Sequence, residues 1–238
     1  MILGSEATLY SDRSYSSNLP SNNMILYKFK NLEPFVHITD LLLTKRLYCA
    51  RPSELNDPLE GVLGMAAPIY QEHPTSEKPF AQSVRFWLEA KNKLDKYRVC
   101  CFSASPRSLP MWSYYGNGHS GICLEIEVTP YKNEIYKIEY LDSLDSIITA
   151  TPNDLLRYKL KDWAHEEEFR LIWGPESQHK YIRAEIKAVL IGAAIKEDYI
   201  RPIFELCRLM RYPKEIVSFS TNGTFARIPL NSEVPWDA

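Results

Sequence analysis

Three consecutive glutamates, Glu166, Glu167 and Glu168, stand between a histidine and an apolar run that begins at Phe169. If a strand begins at Glu168, its side chains alternate, so Glu168 and Arg170 share one face and Glu167 lies on the opposite one. The guanidinium could then hold Glu168 ionised through a bidentate pair. The other interpretation is a surface helix end, where an i,i+4 pair of Glu166 with Arg170 contributes little stability. Spacing alone favours the surface cluster, because runs of charge are usually solvated.

The tripeptide Asn56-Asp57-Pro58 is typical of a turn, because Asn and Asp cap turns with their own side chains and Pro restricts the preceding residue. Nearby carboxylates also raise the hypothesis of a site for a hard cation, as in a metal-dependent nuclease. The acids that such a site would use are Asp57, Glu60, Glu166 and Glu168. No histidine accompanies them as a partner ligand, so this is the weaker hypothesis and we predict no metal site.

The segment from Met111 to Gly121 is the least ordinary part of the sequence, since it holds three aromatic residues and three glycines. We predict a loop over residues 106–117. Its glycines would permit close backbone approach, and rings such as Trp112 and Tyr115 would stack on a planar ligand. His119 is a candidate hydrogen-bond donor or acid–base group, although a lone histidine beside glycines is more often a satisfied turn residue.

Hydrophobic periodicity predicts both strands and helices as carriers of these residues. The predicted strands cover residues 24–29, 47–50, 98–103, 121–128, 136–140, 188–193 and 215–220, with 168–173 added if the glutamates precede a strand. The predicted helices cover residues 35–47, 76–97, 151–165 and 197–210. We expect 136–140 to pair with 121–128, and the third helix to begin with Thr151 as its N-cap. The elements do not alternate regularly, which favours an α+β fold with a mixed sheet core and flanking helices.

The length of 238 residues favours one large domain, which we place at residues 24–238, after a flexible extension at residues 1–23 that is rich in Ser and Asn. A formal net charge of −2 argues against a generally basic nucleic-acid binder. The five cysteines form no C-x-x-C pair, so neither a zinc site nor a disulfide framework is indicated. We find no apolar run as long as a membrane span and no signal peptide, and therefore expect a cytoplasmic protein without a membrane partner.

Several motifs, taken in order, resemble a widespread bacterial family known as a domain of unknown function. These motifs are Tyr27-Lys28-Phe29, Leu47-Tyr48, Asn56-Asp57-Pro58, Cys101-Phe102-Ser103, the aromatic stretch from Met111 through Cys123, and Lys159, Trp163, Glu166, Glu168 and Arg170. The resemblance runs from about residue 24 to about residue 230, and the motifs that carry it lie between Tyr27 and Arg170. Leucine replaces the usual phenylalanine on both sides of Asn-Asp-Pro, which is a mild departure.

The layout of that family is similar, remotely, to ADP-ribosyltransferase-like domains. The resemblance implies an ADP-ribosyltransferase-like fold and NAD, a small-molecule nucleotide, as substrate. Glu168 would be the catalytic carboxylate and Glu166 its helper. Tyr27, Tyr48 and either Trp112 or Tyr115 would stack on nicotinamide, and Lys28, Lys159 or Arg170 would meet the pyrophosphate. The remaining implied contacts are Asn56, Asp57, Ser103 and His119.

Such an activity would suit a bacterial toxin or phage-defence effector, with a protein or nucleic-acid target that the resemblance does not specify. A non-catalytic ligand-binding or sensing domain that keeps the pocket without the chemistry is the alternative from another functional class, since a fold alone does not determine function.

Overall fold

The structure is a computed structural model, and it describes residues 23–57, 88–89, 91–143 and 151–230. Within these residues the strands are β1 (Ile25–Lys30), β2 (Arg46–Tyr48), β3 (Arg98–Ser103), β4 (Ile122–Glu127), β5 (Ile135–Lys137), β6 (Glu139–Leu141), β7 (Tyr158–Leu160), β8 (Glu168–Trp173), β9 (Tyr181–Arg183), β10 (Glu185–Ile191), β11 (Lys214–Phe219) and β12 (Phe225–Pro229). The α-helices are α1 (Phe35–Thr44), α2 (Leu109–Tyr114), α3 (Pro152–Leu155) and α4 (Glu197–Met210). Short 3-10 helices lie at Pro52–Glu54, Thr129–Tyr131 and Lys161–Glu166.

Eight strands form the main sheet in the order β12-β11-β10-β4-β1-β3-β8-β5. The pair β10 and β11 is parallel and the other neighbours are antiparallel, so the sheet is mixed. Two smaller sheets pair β2 with β9 and β6 with β7. The predicted α+β class with a mixed sheet is therefore confirmed.

Apolar side chains on the two faces of the main sheet belong to separate clusters. On one face, α1 and α4 pack against the strands through side chains such as Leu42 and Phe204. This face of α4 is apolar at helical spacing, and the helix ends where Arg211 adopts a left-handed conformation. The other cluster joins Phe29 of β1 to Met111 and Trp112 of α2. The helices thus fix β1 from both sides of the sheet.

The two central strands β1 and β3 separate along their length. They are paired at one position only, Tyr27 opposite Ser103, whereas β1 pairs with β4 at six positions. The ammonium group of Lys28 donates to the Cys101 carbonyl oxygen across the gap, at 2.6 Å. A side chain therefore supplies a hydrogen bond between the two strands where their backbones are not paired with each other. The separation opens a cleft within the sheet.

Three predictions about these elements are wrong. Residues 106–117 include helix α2, because Ser108 caps its N-terminus and Pro110 lies in its first turn. The third helix does begin with Thr151 accepting from the Asp154 amide, but it ends at Leu155 rather than at residue 165. Its expected continuation instead contains strand β7, which pairs with β6, followed by the 3-10 helix at Lys161–Glu166.

The predicted pairing of residues 136–140 with β4 is also not observed, because β5 pairs with β8 and β6 pairs with β7. Most of the predicted helix at 76–97 and of the predicted extension at 1–23 lies outside the described residues. Within the part of the chain that the structure describes, every helix is too short or too polar to cross a membrane.

Candidate functional site

A cavity of about 260 Å³ occupies the cleft between β1 and β3, and we call it the deep cavity. Its charged and hydroxyl-bearing walls come from β1, β3, α2 and the segment around β8. The lining residues are Tyr27, Lys28, Phe29, Lys30, Tyr48, Ala50, Glu54, Leu55, Asn56, Val99, Cys101, Phe102, Ser103, Met111, Tyr115, Lys159, Glu166, Glu168 and Arg170. Four cations therefore share one concave surface with three carboxylates.

A buried ion-pair network forms one wall of the deep cavity. Glu168 is 4% exposed, and both of its oxygens accept from Arg170, at 2.8 Å from Nε and 2.8 Å from Nη2. The Lys159 ammonium group lies 3.0 Å from Glu168 Oε2 and 2.5 Å from Glu166 Oε2. Arg170 also donates to the Leu156 carbonyl oxygen at 2.9 Å. One lysine thus bridges both glutamates, while the arginine clamps one of them.

Glu166 belongs to the same network but makes fewer contacts. Its Oε1 accepts a hydrogen bond of 2.6 Å from the Tyr115 hydroxyl, and its Oε2 accepts from Lys159. An ionised carboxylate has about four acceptor positions. Glu166 therefore keeps acceptor capacity that a ligand hydroxyl could use.

The backbone at Glu167 explains how Glu166 and Glu168 converge. Glu167 is exposed and adopts a left-handed conformation with φ of 45°, where the 3-10 helix ends and β8 begins. Its carbonyl oxygen accepts from the Ala104 amide at 2.9 Å, which anchors the turn to the end of β3. The turn directs the side chains on either side of Glu167 inward, and both meet Lys159. The middle glutamate is thus the solvated member, as the predicted strand alternation implied.

The electrostatics of the network keep its carboxylate charged. Burial by itself raises the pKa of Glu168, but the charges of Arg170 and Lys159 outweigh burial and hold that pKa well below its ordinary value. Burial and the hydrogen bond to Glu166 raise the pKa of Tyr115 far above its ordinary value, so its hydroxyl stays protonated and donates. Burial also raises the pKa of Tyr140 to about 12, and its hydroxyl accepts from the Glu168 amide at 2.8 Å. This wall of the deep cavity therefore presents an ionised Glu168 carboxylate and tyrosine hydroxyls that remain protonated.

Two further cations come from β1. Lys28 and Lys30 lie two residues apart on one strand, so their side chains project to the same side. Burial lowers the pKa of Lys28, but the thiols of Cys100 and Cys101 and the Glu168 carboxylate raise it more. For Lys30, burial and the Lys28 charge lower the pKa to about 8. Among the described residues no carboxylate forms an ion pair with Lys30.

The structure brings most of the predicted site residues to the deep cavity. Those that line it are Tyr27, Lys28, Tyr48, Asn56, Ser103, Tyr115, Lys159, Glu166, Glu168 and Arg170. The hydroxyl of Ser103 is engaged in a turn, where it donates to the Ser105 carbonyl oxygen at 3.0 Å. The Tyr27 hydroxyl donates to Glu125 at 3.3 Å and that of Tyr48 to Glu54 at 2.9 Å.

Asp57, Trp112 and His119 do not line the deep cavity. Asp57 is 6% exposed and packs outside the lining. Trp112 is fully buried, its ring lies edge to face against Phe29, and its indole N–H donates to a backbone carbonyl oxygen at 2.8 Å. His119 stacks on Trp112 at a centroid distance of 6.0 Å. The expectation that Trp112 stacks on a ligand therefore fails, because the ring is part of the core.

The glycines of this segment serve backbone packing rather than ligand approach. A Cβ atom on Gly116 would lie 2.7 Å from the Trp112 carbonyl oxygen, and one on Gly121 would overlap the Lys30 carbonyl oxygen. Glycine is required where two backbones approach so closely. The segment therefore fixes Trp112 and the end of β1, and its effect on the deep cavity is indirect.

No protein-family model, curated protein or solved structure gives a significant match to this chain.

The motif resemblance and the similarity to ADP-ribosyltransferase-like domains therefore remain predictions. Among the residues that the structure describes, no cluster of three or more His, Cys, Asp or Glu could hold a metal ion. Lys159 already supplies the cation between Glu166 and Glu168. Asp57 does not line the deep cavity and Glu60 lies outside the described residues, so the geometry gives the nuclease hypothesis no support.

The sequence-based prediction missed Lys30, Glu54 and Tyr140. Lys30 carried a usable signal, because lysines at alternate positions of an otherwise apolar and aromatic strand must share one face. Tyr140 carried none, since its contact with Glu168 depends on the pairing of β6, β7 and the neighbouring 3-10 helix.

Proposed function

We propose that the deep cavity binds NAD and that the protein cleaves the bond between nicotinamide and ribose, as an ADP-ribosyltransferase or NAD glycohydrolase. The observation that carries the proposal is the pair of buried carboxylates on the wall of a cavity whose other charges are mostly positive. A nucleotide presents both complements, namely ribose hydroxyls for the carboxylates and phosphates for the cations. An ADP-ribosyltransferase-like fold is part of the same proposal.

The chemistry requires stabilisation of a cation that develops on the ribose. The bond between the nitrogen of nicotinamide and C1 of ribose breaks, and nicotinamide leaves with the bonding electron pair. Positive charge then builds on the ribose, as in glycoside hydrolysis. Water or a hydroxyl of a target attacks C1 and releases a proton, which yields free or target-linked ADP-ribose. A fixed carboxylate near the ribose stabilises that charge more strongly than it stabilises the substrate, which is what accelerates the reaction.

Hydrogen-bond capacity favours Glu166 over Glu168 as the group that contacts the ribose. Glu168 already accepts three N–H bonds from Arg170 and Lys159, whereas Glu166 accepts one bond from Tyr115 and one from Lys159. We therefore assign the direct role to Glu166 and a positioning role to Glu168, which orders Lys159. This reverses the roles that the resemblance implies for the two glutamates.

Release of nicotinamide from labelled NAD tests the proposal. Purified protein is incubated with labelled NAD, alone and with bacterial lysate, while free nicotinamide and transferred label are measured. Glu166→Gln keeps the size and one oxygen of the side chain, so we expect unchanged folding and a loss of turnover of at least about a hundredfold, within the range that single electrostatic groups contribute. Glu205→Gln, on the exposed face of α4, is the matched control and should retain full activity.

The absence of both nicotinamide release and any NAD-dependent thermal shift would contradict the proposal. Turnover that survives in Glu166→Gln and is lost in Glu168→Gln would restore the original assignment of the two glutamates. Both variants need a melting measurement, because removal of the Glu168 charge leaves Arg170 buried without its partner.

A second candidate function is a ligand-binding or sensing domain without catalysis. The observation that favours it is that Arg170 and Lys159 occupy most of the acceptor positions of the Glu168 carboxylate. A carboxylate held in this way is a stable structural element. NAD affinity without nicotinamide release, equal in wild type and Glu166→Gln, would support this function over the first. In either case we propose a cytoplasmic bacterial protein, with an effector role in toxicity or phage defence as the setting.

A further inference from the structure

The deep cavity continues into a second, larger depression of about 690 Å³, which we call the tyrosine groove. The groove lies beside α1 and β2, and three exposed or half-exposed rings, Tyr48, Tyr114 and Tyr181, line it. The rings of Tyr48 and Tyr181 are 5.6 Å apart, and the Arg46 guanidinium lies over Tyr181 at 5.2 Å. The groove therefore offers aromatic faces on which a planar base can stack.

Lys28 and Lys30 line both depressions and so mark their junction. Residues i and i+2 of a strand are separated by about 7 Å, which places two ammonium groups side by side over one stretch of a ligand. Lys28 is tethered to the Cys101 carbonyl oxygen at 2.6 Å and keeps two further N–H donors. The junction therefore offers donors and positive charge to an anion.

The other charged groups of the groove do not neutralise Lys30. Asp40 forms an ion pair with Arg46 at 3.9 Å, and Glu33 forms one with Lys196 at 3.6 Å. Lys30 is partly buried, and among the described residues no carboxylate lies within ion-pair distance of its ammonium group. Two like charges side by side in a partly desolvated cleft are unfavourable unless a ligand brings the counter-charge.

We infer that Lys28 and Lys30 form a diphosphate-binding site at the junction, and that the substrate is a dinucleotide whose second base lies in the tyrosine groove. The inference rests on the proposed function and specifies where the diphosphate and the second base of that substrate bind. A cavity of about 260 Å³ is smaller than most pockets for drug-sized ligands, so a dinucleotide must extend beyond it. The diphosphate lies between the two nucleoside halves, as the two lysines lie between the two depressions.

Calorimetric titration with ADP, AMP and adenosine tests the site without any need for turnover. We expect ADP to bind more tightly than AMP, and adenosine to bind weakest, because the diphosphate spans both lysines. Lys30→Met should weaken ADP binding at least about tenfold, in line with the loss of one charge-assisted hydrogen bond, while Lys30→Arg should keep it within about threefold. Lys137→Met, an exposed lysine on β5 that lines neither depression, is the matched control and should bind ADP as the wild type does.

The pH dependence of ADP affinity gives a second readout. The groups that act on Lys30 are the Lys28 ammonium group and the thiols of Cys100 and Cys101, with burial as the largest influence, and together they place its pKa at about 8. His37 lines the groove as well. ADP affinity of the wild type should fall as the pH rises from 7.5 to 9.5, since Lys30 loses its charge, and Lys30→Arg should show a flatter profile.

The outcomes separate the inference from the proposed function. ADP binding that depends on Lys30, without nicotinamide release from NAD, would support the diphosphate site and contradict the enzyme. Nicotinamide release that Lys30→Met leaves unchanged would overturn the diphosphate site while the enzyme stands. Equal affinities for ADP and adenosine would overturn it as well. Lys30→Met should melt no lower than wild type, because it removes a buried charge that has no counter-charge, so a folding failure will not obscure the result.

Discussion

Replacing Arg170 by methionine should destabilise the protein by about 3 kcal/mol. The guanidinium is fully buried and donates two hydrogen bonds to Glu168 and one to a backbone carbonyl oxygen. Removal of one partner from a buried ion pair typically costs about 3–5 kcal/mol, because it leaves an uncompensated charge. We expect the lower end of that range, since Lys159 remains 3.0 Å from Glu168. With an m-value of about 3 kcal/mol/M, the urea midpoint should fall by about 1 M.

Urea unfolding at pH 7, followed by tryptophan fluorescence, measures this loss, and a double variant isolates the pair. Glu168→Met combined with Arg170→Met removes both charges together. It should therefore be more stable than the sum of the two single losses predicts, with a coupling of about 1–3 kcal/mol for groups in direct contact. Arg208→Met is the control, because its pair with Glu205 is exposed and should contribute less than about 1 kcal/mol. A loss below 1 kcal/mol in Arg170→Met, or strictly additive losses in the double variant, would refute the reasoning.

Three further results are expected. Gly121→Ala should destabilise the protein by about 1–3 kcal/mol in the same unfolding assay, because the added Cβ would overlap the Lys30 carbonyl oxygen. Unchanged stability would show that the two backbone segments can move apart. Trp112→Phe should lower stability by about 1–3 kcal/mol, because it leaves the Pro106 carbonyl oxygen without its hydrogen-bond donor. The same variant should bind ADP as tightly as the wild type does. A loss of ADP affinity without a loss of stability would instead show that the ring contacts the ligand. The pKa of Glu168 is depressed in the folded protein, so its stabilisation is present above the unfolded value of about 4.3 and is lost as the pH falls below it. Glu168→Gln should therefore show a shallower loss of stability than wild type on acidification, as acid unfolding curves will reveal.

Sequence periodicity predicted the strands and helices that have the clearest apolar patterns. The predicted strand at 98–103 and the predicted helix at 197–210 coincide with β3 and α4, because each carries a clear apolar pattern between turn residues. The predictions failed where short elements depend on tertiary pairing. Residues 158–160 lie beside a helix start, and only their pairing with β6 makes them a strand. Local propensity cannot report such a partner.

The same distinction explains the site. Spacing alone favoured a solvated surface cluster at the glutamates, and that interpretation is wrong. The structure instead confirms the alternative, in which Glu168 and Arg170 lie on one face of a strand. The convergence of Lys159 on both glutamates did not follow from spacing, since it requires the left-handed turn at Glu167. The aromatic content of the segment was misleading for Trp112, which is buried in the core. A ring that stacks on a ligand and a ring that fills a core look the same in a sequence.

The two parts of the cleft differ in how much binding free energy they can give to a ligand. The Glu168 carboxylate has its hydrogen bonds made within the protein, so a ligand that contacts it gains little and risks leaving Arg170 unpaired. The Lys28 and Lys30 ammonium groups are the opposite case, because an arriving anion brings the counter-charge that the described residues do not supply to Lys30. Recognition should therefore reside mainly in the lysines, and chemistry in Glu166, whose free acceptor positions adjoin the fixed charges. Variants of the lysines should consequently change the ligand dissociation constant and KM, whereas a Glu166 variant should change kcat. This separation of effects is expected only if the two parts of the cleft bind the same molecule.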